Sequence, residues 1–142
     1  MPREILTYPI SKAAMWQELE FLVDTLVQLD QLELKASFGF AWAEEFHAGW
    51  NEITVSGPEL LSEVRRMEAS EKGELGFNDL FIRLPQLAVE FHYCNDSDIH
   101  LTFDQPSDFT ESFYSRWKAR GFTPAEWLKE TAEGPGTRLR EG

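Results

Sequence analysis

The sequence predicts an α+β fold, an antiparallel sheet of about five strands with helices packed on one face, and three patterns of apolar spacing carry that expectation. Apolar residues recur at helical spacing up to residue 30. They alternate from residue 32 to 42 and again, between turns, within the segments 79–84, 87–94 and 98–104, then return to helical spacing after Ser107. The expected element order is α-β-β-α-β-β-β-α-α.

Met15, Leu19, Leu22, Leu26 and Leu29 step by four, three, four and three, which lines one face of a helix over 12–30, with Ser11 as its N-cap. Leu32, Leu34, Ala36, Phe38, Phe40 and Trp42 then alternate with Glu33, Lys35, Ser37, Gly39 and Ala41. That is a strand with one buried face. Residues 43–49 read as its connection and 50–55 as the returning strand. Ser56-Gly57-Pro58-Glu59 has capping-box spacing, and Leu60, Leu61, Val64 and Met67 give the helix after it an inner face. This helix ends near Lys72-Gly73.

Residues 79–84, 87–94 and 98–104 read as a three-stranded meander with turns at Pro85-Gln86 and at 95–97. Ser107 opens a helix whose inner face carries Phe109, Phe113 and Trp117, with acids in its first turn, bases in its last and Gly121 just beyond. Thr123-Pro124-Ala125-Glu126 repeats the capping-box pattern and predicts a short final helix to Ala132. Residues 1–132 therefore read as a single domain and 133–142 as a flexible tail. The stretch from Ile5 to Ile10, bounded by Pro2 and Pro9, offers at most a short edge strand.

At 142 residues, 42% hydrophobic and 13% aromatic, the chain has material for one continuous core. No basic leader and no run of roughly 20 apolar residues is visible, so neither export nor membrane insertion is expected. Cys94 is the only cysteine, which excludes an intrachain disulfide and a thiolate cage and suits a cytoplasmic location. The 13 bases and 25 acids leave a net charge of −12. Residues 1–104 hold 19 acids against 7 bases, whereas 105–142 hold six of each. A field of that sign disfavours nucleic acid and anionic membrane and favours a basic protein partner.

Side-chain parity sharpens the reading of the meander. Burying every apolar residue on one side pairs Leu84 with Leu87, Ile82 with Val89 and Leu80 with Phe91 across the first turn. Across the second it pairs Phe91 with Leu101 and Tyr93 with Ile99. The opposite face then carries Asp79 beside His92 and His92 beside His100, with Glu90 one pleat away beside Phe81 and Thr102. Cross-strand neighbours stand about 5 Å apart at Cβ, near enough for Asp79, His92 and His100 to share a divalent metal or move a proton. A polar row is equally what the wet face of a half-exposed sheet carries. Cys94 falls on the same face with His92 as a potential base, but no oxyanion site follows it, and no residue is assigned a catalytic role. No GxGxxG, GxxxxGK[ST], HExxH, GxSxG or EF-hand pattern occurs.

The remaining feature lies between the first two strands. Glu44, Glu45, Phe46, Trp50 and Glu52 combine aromatic anchors with an acidic rim, the recipe by which a basic protein surface is recognised. Together with the acidic charge they point to a non-enzymatic module that binds a basic partner. In size, acidity and mixed α/β content the chain is similar to immunity proteins that neutralise a toxin and to the acidic chaperones of type III secretion. The chaperones resemble three strands, a helix and two strands, whereas two and then three are read here. A small metal-dependent or acid–base enzyme built on the Asp-His-His row is the competing expectation.

Overall fold

The computed structural model describes residues 2–30, 33–39, 52–129 and 136–142. They form an α+β fold with three α-helices and an eight-stranded, fully antiparallel sheet. In chain order these are β1 (Arg3–Leu6), α1 (Lys12–Gln28), β2 (Leu34–Phe38), β3 (Glu52–Val55), α2 (Gly57–Ala69), β4 (Leu80–Leu84), β5 (Val89–Tyr93), β6 (Ile99–Phe103), α3 (Asp108–Ala119), β7 (Ala125–Leu128) and β8 (Thr137–Glu141). The sheet order is β3-β2-β4-β5-β6-β1-β7-β8.

Each helix starts where a serine can satisfy an orphan amide. Ser11 accepts from the Ala14 amide, and Ser56 and Ser107 form capping boxes with Glu59 and Thr110. Two-residue alternation puts Leu34, Ala36, Leu80, Ile82, Leu84, Phe91, Tyr93, Ile99 and Leu101 on one face of the sheet. There they are sealed by Met15, Leu19, Leu22 and Leu26 of α1, Leu60, Val64 and Met67 of α2, and Phe113 and Trp117 of α3. Phe113 meets Phe91 edge-on at 5.0 Å and Phe21 at 5.3 Å, so α3 is keyed to both sheet and α1.

Two acids are buried among the described residues, Glu126 and Glu18, and the second sits between α1 and α3. Glu18 is 1% exposed and accepts from Trp117 Nε1 at 2.7 Å and from Arg116 Nε at 3.0 Å, with Arg120 on the same carboxylate. Burying an unpaired carboxylate would be prohibitive, so these donors are what make the position tenable. The three contacts tie α3 to α1. Glu18→Ala removes the acceptor and leaves two arginines facing a cavity; it is expected to lower unfolding free energy by about 3 kcal/mol, measured by urea denaturation.

Several expectations need correction. The sheet has eight strands among the described residues rather than about five. Helix α1 stops at Gln28, and Leu29, expected on the inner face, is exposed. The strand expected over residues 32 to 42 is described as β2, Leu34–Phe38, and the part from Phe40 lies outside the described residues. Residues 3–6 are not at an edge: β1 pairs with both β6 and β7. The expected final helix is absent among the described residues. Thr123, its expected cap, has φ 45°, and Ala125–Leu128 form β7 instead. Within the expected tail, residues 137–141 form β8, which pairs with β7.

The first turn of the meander also differs. Pro85–Leu87 form a 3-10 turn and Ala88 takes a left-handed conformation at φ 54°, so the observed pairs are Leu84 with Val89, Ile82 with Phe91 and Leu80 with Tyr93. The slide is two residues, and both faces keep their residues. The second turn pairs Phe91 with Leu101 and Tyr93 with Ile99, as expected. An L-residue at that φ is strained. Ala88→Gly is therefore expected to raise stability by about 0.5–1 kcal/mol, read as a higher urea midpoint at unchanged slope.

Candidate functional site

The face of the sheet that no described helix covers carries the ionisable residues. At its centre Phe81 stacks on His92 at 4.1 Å, and His92 stands beside His100 with ring centroids 5.6 Å apart. His92 Nε2 lies 2.9 Å from Asp79 Oδ1, an oxygen that also accepts the Asn95 amide at 2.9 Å. The register places Phe81, not Asp79, opposite His92. Asp79 reaches the imidazole diagonally from the residue before β4.

His100 is held on both sides. Its Nδ1 lies 3.2 Å from Glu4 Oε2 and its Nε2 lies 3.1 Å from Asp98 Oδ1, while Lys129 Nζ closes on the same Glu4 oxygen at 3.0 Å. Glu4 enters because β1 pairs with β6, which sets it opposite Thr102, the open-face residue after His100. Cys94 and Asp98 flank the turn between β5 and β6, closed by the Cys94 amide donating to the Asp98 carbonyl at 2.9 Å.

The electrostatics follow from this crowding. Burial by itself would lower the His100 pKa, but the contacts with Glu4 and Asp98 outweigh it and hold the imidazole above its ordinary value. Burial pushes the Glu4 carboxyl up, and His100 and Lys129 more than reverse this, leaving it below the ordinary value. Burial raises the Asp98 pKa, while that of Asp96, hydrogen-bonded to Asp98, is lowered. Burial also pushes the Cys94 thiol up to about 12. A thiol so protonated is no nucleophile at neutral pH.

Among the described residues, donor atoms lie within 4.8 Å of one another in two sets, Asp79, His92 and Cys94, and Cys94, Asp98 and His100. The structure thus brings the expected residues Asp79, His92 and His100 into one neighbourhood, and Cys94 joins the two imidazoles. Asp98 and Glu4 were not singled out from the sequence. Asp98 stands there in the acidic turn Asn95-Asp96-Ser97-Asp98, which offers a weak cation site but lacks a calcium-loop pattern and reads as a solvated turn, and Glu4 carries no local signal because the pairing that places it spans most of the chain.

Of the residues expected to bind a partner, Glu44, Glu45, Phe46 and Trp50 lie outside the described residues. Glu52 is on β3, where Arg83 grips it through Nε at 3.0 Å and Nη2 at 2.6 Å. That hydrogen bonding lowers its pKa.

The fold and the site thus define an α+β chain with one helix-covered sheet face and one bearing an imidazole–carboxylate cluster. Comparison with protein-family models, curated proteins and solved structures finds no match to it. No described helix is long and apolar enough to cross a membrane.

The raised His100 pKa makes a signed prediction. The imidazolium is stabilised in the folded state, so its contribution to stability is complete below the unfolded value near 6.5 and is lost as pH rises through the higher folded value. In chelator-containing buffer the His100 ring proton should titrate above 6.5 by NMR. Urea stability should fall through the same range, and this component should be missing in His100→Gln. A midpoint at or below the ordinary value would contradict the assignment.

Proposed function

We propose that the protein is a non-enzymatic acidic module that binds a basic protein partner, in the manner of an inhibitor or immunity protein. The observation that carries this reading is how the cations are spent. Of the 13 bases, at least ten stand within 4.0 Å of an acid of the same chain among the described residues. Exposed pairs of this kind contribute little stability. They do neutralise the positive charge locally, so the excess of −12 is carried by carboxylates, with Asp24, Asp30, Glu33, Glu90, Asp104 and Asp108 among those exposed.

An aromatic anchor accompanies the acids on the described surface. Phe77 is 63% exposed and lines a groove with Glu71, Lys72, and Glu68 and Glu74, the last two already paired with Lys12, so its ring rather than free carboxylate is what the groove offers a partner's side chain. The segment with Glu44, Glu45, Phe46 and Trp50 belongs to the same reading, and Glu52 contributes less because Arg83 already occupies it. A cytoplasmic location, motivated by the single Cys94, is part of the proposal.

Capture from a native lysate at about 50 mM salt should recover a stoichiometric basic protein. Raising the salt to about 500 mM should slow association roughly tenfold or more while changing dissociation little. Glu44→Lys with Glu45→Lys should reduce the on-rate, and Phe77→Ala the residence time. Failure to recover any stoichiometric partner, or a salt-independent on-rate, would overturn the reading.

A further inference from the structure

We propose that Cys94, Asp98 and His100 form a binding site for one divalent metal ion of the zinc class. The three supply a sulfur, a carboxylate oxygen and an imidazole nitrogen, the mixed donor set that borderline metals prefer over hard cations. Their donor atoms lie within 4.8 Å of one another. Bonds of about 2.0–2.3 Å around a tetrahedral ion place ligands roughly 3.3–3.8 Å apart, so binding requires the set to contract by about 1 Å.

The backbone under these residues is braced. Ser97 donates its amide to the Cys94 carbonyl at 3.1 Å and its hydroxyl to the Gly76 carbonyl at 3.0 Å, and its own carbonyl accepts the Ile10 amide at 2.8 Å. Two of the three ligands flank this braced turn. The third, His100, follows Asp98 by two residues in β6.

The surroundings of His100 point to the bound atom. Its Nδ1 faces Glu4, which Lys129 holds in turn, while Nε2 faces Asp98. A carboxylate on one ring nitrogen orients the other toward a metal, the arrangement by which ligating histidines are usually fixed. Binding through Nε2 and Sγ displaces the Nε2 and thiol protons to solvent, and a water fills the fourth position. Cys94 also lies near Asp79 and His92. That alternative set is the weaker one, because the Asp79 oxygen facing His92 also takes the Asn95 amide and His92 is stacked on Phe81.

The test uses the untagged full chain, stripped with chelator and titrated with Co²⁺ and then Zn²⁺. One equivalent of Co²⁺ should produce a thiolate-to-cobalt charge-transfer band in the near ultraviolet, and Zn²⁺ should remove it. At about pH 9, where some thiolate forms despite the raised Cys94 pKa, Zn²⁺ should also slow alkylation of wild-type Cys94 at least tenfold, a readout that needs no variant to fold. Cys94→Ser should abolish the band, and Asp98→Asn or His100→Gln should weaken binding about 100-fold. Glu4→Gln should weaken it about 10–100-fold, and Asp79→Asn should leave it within about threefold. Absence of the band, no protection of Cys94, or loss of binding in Asp79→Asn with Asp98→Asn unchanged would each overturn the assignment.

Discussion

The structure depends on one constraint, that the central strands have a single face able to be sealed. Leu80, Ile82 and Leu84, Val89, Phe91 and Tyr93, and Ile99, Leu101 and Phe103 are all 5% exposed or less. A slip of one residue in any of these strands would drive its apolar set into water and push Arg83, His92 or His100 under the helices, where each would need a partner. A slip of two preserves both faces. Burial therefore dictates which side each residue takes, while the turn dictates its opposite number. Ala88, in its left-handed conformation, makes the choice between β4 and β5.

This division explains what could be read from the residues and what could not. The helix starts at Ser11, Ser56 and Ser107 are legible because a cap and an apolar period are both local. The neighbours His92 and His100 are legible because an odd-length turn and two alternating strands leave one register. Thr123-Pro124-Ala125-Glu126 satisfies the same local rule as Ser56-Gly57-Pro58-Glu59 and yet forms a strand. The difference is tertiary: β1 has a free edge beside it, and Glu126, buried, is taken by Arg3 at 3.1 Å and Arg140 at 2.9 Å instead of capping a helix. Prolines at 2 and 9 lie outside β1 and break none of its ladder, and the Pro2 carbonyl accepts the Lys129 amide at 2.9 Å, so the cue that suggested an edge was compatible with an interior strand.

Charge, likewise, is distributed in space differently from its distribution along the chain. Residues 105–142 are formally balanced, but Arg116 and Arg120 act on Glu18, in the first helix. Arg140 acts on Glu111 and Glu126 within the segment. The C-terminal cations are thus partly spent on an N-terminal acid, and the acidity of the first three-quarters of the chain is partly neutralised inside the fold rather than at its surface. A count by segment overstates the contrast between the two parts; a count by ion pair preserves its sign.

The two ends of the open sheet face differ in the kind of cation that balances their acids. At the end where β4 turns into β5, Arg83 holds Glu52, and a guanidinium keeps its charge at every pH a cell presents. At the other end Asp79, Asp98 and Glu4 meet imidazoles, joined by one lysine on Glu4. The His100 imidazolium, which Glu4 and Asp98 stabilise, loses its proton as pH rises through its raised pKa. Fixed charge at the first end makes it a structural clamp. At the second, carboxylates, a thiol and imidazole nitrogens converge on a partly exposed surface, and the positive charge that balances the acids there depends on pH, which at the guanidinium end it does not.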